Sequence, residues 1–320
     1  MINLSIRMEP IKVGFGRGLL KAAQKDQQVV GLSADLVEST GMGKLRDEFP
    51  ERLIEVGVAE QNLVTVASGM AKIGKIPFAS SYAAFCPGRC WEQIRTTICL
   101  NNQNVKIVGS HAGLGVGHDG ATHQMLEDIA LMRVLPNMQV FAPADSIEAE
   151  KITLAIAKTK SPSYLRLSRQ DVPVFTHPDT KFKIGEGVKL KDGHQITILS
   201  SGTATWHALE AGIKLREHGI DAEVLHFPTI KPIDRDLIIQ SAKKTRRFIT
   251  VEDHQVSGGF GSLIAEVISE SYPIPVVRIG IDDKFGQSGT PEELFRHYGI
   301  TSTNIVRKAL QLTKATNPST

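Results

Sequence analysis

Short apolar runs alternate with amphipathic stretches along most of the chain. Residues 29–33, 53–56, 76–80, 105–110, 139–142 and 164–167 are compact apolar runs, the pattern of strands covered on both faces. Between them, residues 11–25, 63–70, 85–100 and 147–158 carry apolar side chains at helical spacing. Ser146 is placed to cap the last of these, and Thr122 to cap a helix from about His123 through Met132. Strands interleaved with helices predict a mostly parallel sheet between two helical layers. The pattern breaks over residues 171–183, where prolines and polar residues predict a linker. A second α/β unit follows, with strands at 196–200, 222–226, 247–251 and 276–279 and helices at 205–218 and 261–271. The expected fold is therefore two three-layer α/β/α domains, residues 1–175 and 176–320.

Composition narrows the function classes. A chain of 320 residues accommodates two domains, and 41% hydrophobic with 22% charged residues is ordinary for a soluble α/β protein. The net charge of +3, from 37 basic and 34 acidic residues, is too balanced to imply a nucleic acid or a membrane as partner. Residues 1–16 lack the apolar core of a secretory signal, and no apolar run is long enough to span a bilayer. Cys86, Cys90 and Cys99 fall within the helix predicted at 85–100, with Cys86 and Cys90 on one face. They form neither a CxxC nor a zinc pattern; reduced, semi-buried thiols suit a cytoplasmic protein.

Two stretches carry candidate chemistry. In Gly57-Val58-Ala59-Glu60-Gln61-Asn62, Glu60 stands at a strand-to-helix junction, where α/β sheets place ligands. Apolar burial there would raise a carboxyl pKa toward neutrality, as acid–base work requires. The plainer reading is an acidic residue suiting a helix first turn. The second stretch is His111-Ala112-Gly113-Leu114-Gly115-Val116-Gly117-His118-Asp119-Gly120-Ala121-Thr122-His123-Gln124, directly after a strand. Its glycines let the backbone approach a ligand closely. The histidines lack the spacing of a helix-borne zinc site, so they read as hydrogen-bonding groups for a hydroxylated substrate. In the second unit, Glu252-Asp253-His254 before Gly258-Gly259-Phe260-Gly261 could bind phosphate at a helix start, but tight packing is the simpler reading. Neither this segment nor the turn Phe285-Gly286-Gln287-Ser288-Gly289 is assigned to a site.

Taken in order, these stretches resemble the transketolase family of thiamine-diphosphate enzymes. The match includes Ser33-Ala34-Asp35-Leu36, the Glu60 segment, the loop similar to HxxxGxGEDGxTHQ, Pro143-Ala144-Asp145 and Leu167-Ser168-Arg169-Gln170. It is specific over roughly residues 10–175 and weaker beyond. The resemblance implies a pyrimidine-binding domain followed by a transketolase C-terminal domain, the latter used for subunit contacts. It implies that Glu60 activates the cofactor aminopyrimidine, that Phe85 stacks on it with Tyr82 lining the pocket, and that Asp35 and Leu36 line the thiazolium side. His111 and His123 would contact substrate and act as catalytic groups that stabilise developing alkoxides or move protons, and Asp119 would sense a sugar hydroxyl. Ser39 and Arg169 would bind phosphate, with Lys12 near the place of a family arginine.

The GDG motif that holds Mg2+ and the diphosphate in this family does not occur here. The chain therefore resembles the C-terminal subunit of a split transketolase, transferring a two-carbon ketol unit between sugar phosphates. Its implied cofactors are thiamine diphosphate and Mg2+, the metal ligands lying on an N-terminal GDG-bearing partner in a heterotetramer and none on this chain. A 1-deoxyxylulose-5-phosphate synthase-like chain, a 2-oxoacid dehydrogenase β-like subunit and a non-catalytic assembly paralogue are the alternatives. His118 in place of the usual glutamate, Lys12 in place of arginine and Gly88 in place of an aromatic bear on sugar specificity.

Overall fold

The apolar runs become the strands of two sheets in a computed structural model that describes residues 7–315. In chain order the strands are β1 (Met8–Pro10), β2 (Val29–Ser33), β3 (Leu53–Glu55), β4 (Ile76–Tyr82), β5 (Lys106–Ser110), β6 (Gln139–Phe141) and β7 (Ser163–Arg166). They continue as β8 (Asp171–Pro173), β9 (Val188–Lys191), β10 (Ile196–Ser200), β11 (Ala222–His226), β12 (Thr229–Lys231), β13 (Phe248–Gln255) and β14 (Val276–Ile281). The seven-stranded sheet has the order β12-β6-β7-β5-β4-β2-β3, and the five-stranded sheet β14-β13-β10-β11-β9. Both are parallel except at one edge, where β12 opposes β6 and β9 opposes β11. These are the two α/β units expected.

Neighbouring residues of the central strands enter different cores, which is why the runs are apolar throughout. Val29 of β2, Phe78 of β4 and Val108 of β5 pack with Phe15, Leu19 and Ile152 of the helices Ile11–Lys25 and Ser146–Ile156. Val30, Ala79 and Ile107 face the other way, with Leu63 and Ala67 of the helix Glu60–Lys72 and Met132 of Asp128–Arg133. That second core continues without a break into the second unit through Leu199, Leu225 and Phe227. The edge strand β12 belongs by sequence to the second unit but hydrogen-bonds into the first sheet. The pattern reading did not contain β9, β12 or the helices Arg235–Thr245, Pro291–His297 and Ser302–Ala315.

Several local expectations are corrected. The stretch 85–100 is not one helix: helical structure covers only Trp91–Gln93 and a wider turn over Ile94–Cys99. Pro87, which lacks an N–H, falls in the preceding turn and cannot extend a helix. Cys86 and Cys90 therefore share no helix face; with Cys99 they are free and fully buried rather than semi-buried. The helix expected from His123 begins only at Asp128. Gly120 (φ +75°) redirects the chain, and Met125 bridges to Ala112. Thr122 caps nothing there; its Oγ1 lies 2.9 Å from Nδ1 of His123. Asp145, not Ser146, caps Ser146–Ile156, accepting from the Glu148 N–H. The expected linker starts with β8, which pairs with β1.

The helices Ile11–Lys25 and Ser146–Ile156 cross so closely that a Cβ on Gly14 would lie 1.8 Å from the Ser146 carbonyl oxygen. Gly14→Ala is expected to destabilise the isolated chain by about 1–3 kcal/mol despite alanine's helix propensity. Gly69→Ala adds a methyl with nothing within 4 Å and is expected to stabilise by about 0.5–1 kcal/mol. Urea unfolding reads both; shifts of the same sign would contradict the packing account.

Candidate functional site

A parallel sheet delivers the carboxyl ends of its strands to one edge, where the following loops can converge. The adjacent order β7-β5-β4-β2-β3 thus gathers residues far apart in sequence. Asp35, Leu36 and Ser39 follow β2, Glu60 follows β3, Tyr82 ends β4 with Phe85 just after, His111 follows β5 and Arg169 follows β7.

Glu60 opens the helix Glu60–Lys72 but makes no side-chain cap. Its carboxylate is 1% exposed, accepting from Arg89 Nη1 at 2.6 Å on Oε2 and from Ser81 Oγ at a long 3.4 Å on Oε1. The Arg89 guanidinium also lies over the Phe85 ring, 4.9 Å from its centroid. Phe85 belongs to an aromatic group: Tyr82 stacks on His111 at 3.9 Å, and His123 stands edge-on to Phe85 at 5.4 Å. His111 is held in the left-handed backbone region (φ +56°) and is buried, with Nδ1 2.9 Å from Ser110 Oγ. Burial, reinforced by the nearby charges of Lys12 and Arg169, pushes its pKa down to about 3. Its imidazole is therefore neutral at ordinary pH.

Beyond His111 the site turns cationic. Lys12 Nζ donates to the Ser39 carbonyl at 3.0 Å. Burial lowers its pKa, and the charge of Arg169 lowers it further. Arg169 Nη1 donates to Asp119 Oδ2 at 3.0 Å and to the Val116 carbonyl at 2.9 Å. Two neighbouring cations, only one of them paired with an exposed carboxylate, make a setting for an anion. Asp35 (φ +61°) and Leu36 form the turn after β2, and the Glu55 carboxylate accepts from the N–H groups of Asp35 and Gly57. Neither Glu55 nor Arg89 is singled out by the sequence motifs. Their signals were weak: an acid ending an otherwise apolar strand, and a cation four residues after Phe85.

Gly88 has a local cause, since a Cβ there would sit 2.1 Å from the Ala84 carbonyl. His118 is exposed, and its carbonyl accepts from Ser288. The glycine-rich turn of the second unit is closed to phosphate, because Glu252 already accepts from the N–H groups of Phe260 and Gly261 at 2.6 and 2.8 Å. The segments left to packing nevertheless reach the glycine loop. Asp253 Oδ1 accepts from the Leu114 N–H at 3.0 Å, and Gln124 Nε2 donates to the Gln287 carbonyl at 3.0 Å. Among the described residues, no group of three or more His, Cys, Asp or Glu is placed to hold a metal, and no helix is long and apolar enough to cross a membrane.

Comparison with known proteins gives the same outline. Residues 11–174 match the transketolase pyrimidine-binding domain and residues 185–305 the transketolase C-terminal domain. A chain of Methanocaldococcus jannaschii, provisionally described as a transketolase C-terminal section, is 43% identical over 97% of this chain and 98% of its own. The 6-deoxy-6-sulfo-D-fructose transketolase subunit of a Clostridium species is 38% identical, covering 93% of each chain. A solved split-gene transketolase, an inactive beta4 tetramer, matches with a TM-score of 0.88 at 43% identity, over 95% of this chain and 98% of that one.

Below the site, His254 is wholly buried, accepting from the Ala130 N–H on Nε2 and donating from Nδ1 to the Gln255 carbonyl. The Asp128 and Glu252 carboxylates lie 4.0 and 3.8 Å from its ring nitrogens, but burial prevails and pushes its pKa from 6.5 down to about 4. A depressed histidine pKa means that the unfolded chain binds more protons below the unfolded value, so stability falls as pH drops from 6.5 toward 4. His254→Gln is expected to flatten that fall by up to about 1.4 kcal/mol per pH unit. Urea unfolding across this range checks it; parallel stability curves for variant and wild type would contradict a neutral buried imidazole.

Proposed function

The chain belongs to the transketolase family, and on that footing we propose that it is the C-terminal subunit of a two-chain transketolase. With an N-terminal partner it transfers a two-carbon ketol unit from a ketose bearing a terminal phosphate or similar anion to an aldose phosphate. The observation that carries this reading is the order of groups along one sheet edge. A buried carboxylate, Glu60, pairs with Arg89, whose guanidinium lies over the Phe85 ring; Tyr82 and His111 stack on beyond it, and His111 lies beside the cations Lys12 and Arg169. The same proposal includes a boundary between the two units at residue 175 and a heterotetramer with two copies of each chain.

The residues fit a thiamine-diphosphate aminopyrimidine: Glu60 Oε1 has only the long Ser81 contact, so an acceptor is available beside flat aromatic surface. When bound, the cofactor supplies the electron sink for carbon–carbon cleavage. With the cofactor bound, Glu60 would hold and exchange a proton at N1′, Phe85 would support the ring with Tyr82 beside it, and Asp35 and Leu36 would line the thiazolium side. The diphosphate and Mg2+ ligands belong to the partner. His111, being neutral, offers a hydrogen bond rather than a positive charge to a substrate oxygen. His123 and Asp119 orient sugar hydroxyls, and Lys12, Ser39 and Arg169 hold the anionic end.

Calorimetry with thiamine diphosphate and Mg2+ tests this assignment. The isolated chain is expected to bind weakly, and the assembled complex tightly. In that complex Glu60→Gln is expected to lose about a hundredfold or more in turnover, as for loss of an acid–base group, with cofactor affinity less affected. Tight binding by the isolated chain, or near-wild-type turnover of the variant, would overturn it.

Arg169 and Asp119, expected from the resemblance at different parts of the donor, form an ion pair. Arg169→Ala is expected to raise KM for donors with a terminal anion by about 10–100-fold, the worth of a charged hydrogen bond. Hydroxypyruvate, whose carboxylate is bonded directly to the reacting carbonyl and which carries no distal phosphate, should be little affected. Because the pair is shared, the effects of Asp119→Ala and Arg169→Ala should be non-additive. Steady-state kinetics on both donors check this; equal losses on both would remove Arg169 from the anion site.

A further inference from the structure

Within its own unit the glycine loop carrying His111, Asp119 and His123 is held at its start by the Leu167 carbonyl, which accepts from the Ala112 N–H, and further on by Arg169, which donates to the Val116 carbonyl and to Asp119. Gly113, Gly117 and Gly120 all take positive φ, conformations that glycine leaves easily for others. The second unit adds contacts at three further points. At its start, Asp253 Oδ1 accepts from the Leu114 N–H at 3.0 Å, and a Cβ on Gly113 would lie 2.0 Å from Asp253 Oδ2. At its middle, Ser288 Oγ donates to the His118 carbonyl at 2.8 Å. At its end, Gln124 Nε2 bridges the Gly117 and Gln287 carbonyls at 3.1 and 3.0 Å. Asp253 is itself immobilised: it is 2% exposed, and its backbone carbonyl accepts from Arg166 Nη2 at 2.7 Å.

We infer that Asp253 is a positioning residue for the reaction: with Ser288 and the Gln287 carbonyl, it clamps the glycine loop in its substrate-binding shape. The C-terminal unit is thereby part of the active site's support and not only a surface for subunit contacts. Asp253 touches neither cofactor nor substrate; it acts through the Leu114 amide and the close approach of Gly113. The inference rests on the proposed function only in taking this loop to bind substrate. The clamp itself can be measured without turnover.

The experiment compares wild type, Asp253→Ala, Asp253→Asn and Ser288→Ala. Amide hydrogen exchange is followed on the chain, and cofactor affinity and steady-state kinetics on the complex with its partner. Asp253→Ala is expected to speed exchange of the Leu114 amide by about 10–100-fold, the loss of a bond to a charged acceptor. The β10 and β13 amides should keep their protection. In the complex, KM for the donor sugar should rise by a similar factor, with thiamine diphosphate affinity unchanged. Asp253→Asn keeps an acceptor oxygen in place and should restore most of both. If Asp253→Ala does not fold, Ser288→Ala, at an exposed position, must still raise donor KM by a few-fold while leaving cofactor affinity alone. Unchanged Leu114 exchange, equal loosening of β13, or no rescue by asparagine would overturn the clamp. A complex with no ketol transfer but with the exchange pattern intact would overturn the proposed function and leave the clamp standing.

Discussion

The arrangement of the two units depends on one buried charge. Arg166, at the end of β7, is nearly inaccessible. Its Nε donates to Asp128 Oδ2 at 2.9 Å, and its Nη2 reaches across to the Asp253 carbonyl. Tyr164 donates to the same Asp128 oxygen at 2.7 Å. Removing an arginine and an aspartate from water is costly, and the cost is recovered only when geometry and further hydrogen bonds are good. Those bonds come from three places at once: β7, the helix start at Asp128 and β13. The charge is thus satisfied only when the second unit sits in its observed place. Just beyond Arg166, the Leu167 carbonyl accepts from the Ala112 N–H, so the same strand end also anchors the glycine loop.

From that junction the site runs along the sheet edge with a deliberate order of charge. The cations Lys12 and Arg169 stand together: burial and then the charge of Arg169 lower the pKa of Lys12, and burial and then both charges lower that of His111. An imidazole that stays neutral at ordinary pH leaves the positive charge with Lys12 and Arg169. At the opposite end the buried Glu60 is matched by Arg89, whose side chain is half exposed. That pairing keeps the carboxylate compensated while leaving its second oxygen with only a distant hydroxyl. The two charged ends are separated by the rings of Phe85, Tyr82 and His111.

Much of this was legible from local pattern. The strand cores at 29–33, 76–80 and 105–110 and the helix Ile11–Lys25 fall where the apolar spacing puts them, because burial on two faces leaves its mark residue by residue. The failures are equally physical. At 85–100 apolar spacing continued through a turn that Pro87 cannot join to a helix. Near His123, Gly120 and the bridge from Met125 to Ala112 overrode a plausible cap. The strand β12 was invisible because three residues carry no period, and its pairing is with a strand nearly ninety positions away.

By itself the sequence determined the class of fold, the two-unit division of the pattern, and the segments that carry chemistry, since hydrophobic period, glycine content and motif order are local properties written along the chain. Only the tertiary structure decided who meets whom. That Glu60 faces Arg89 instead of capping its helix, that Arg169 pairs with Asp119 beside Lys12, and that Asp253 reaches the glycine loop all follow from strand order and from the seat of one unit on the other. Those contacts join residues from 29 to 139 positions apart. Their partners are selected by the global packing that satisfies buried charge, and no local pattern encodes that choice.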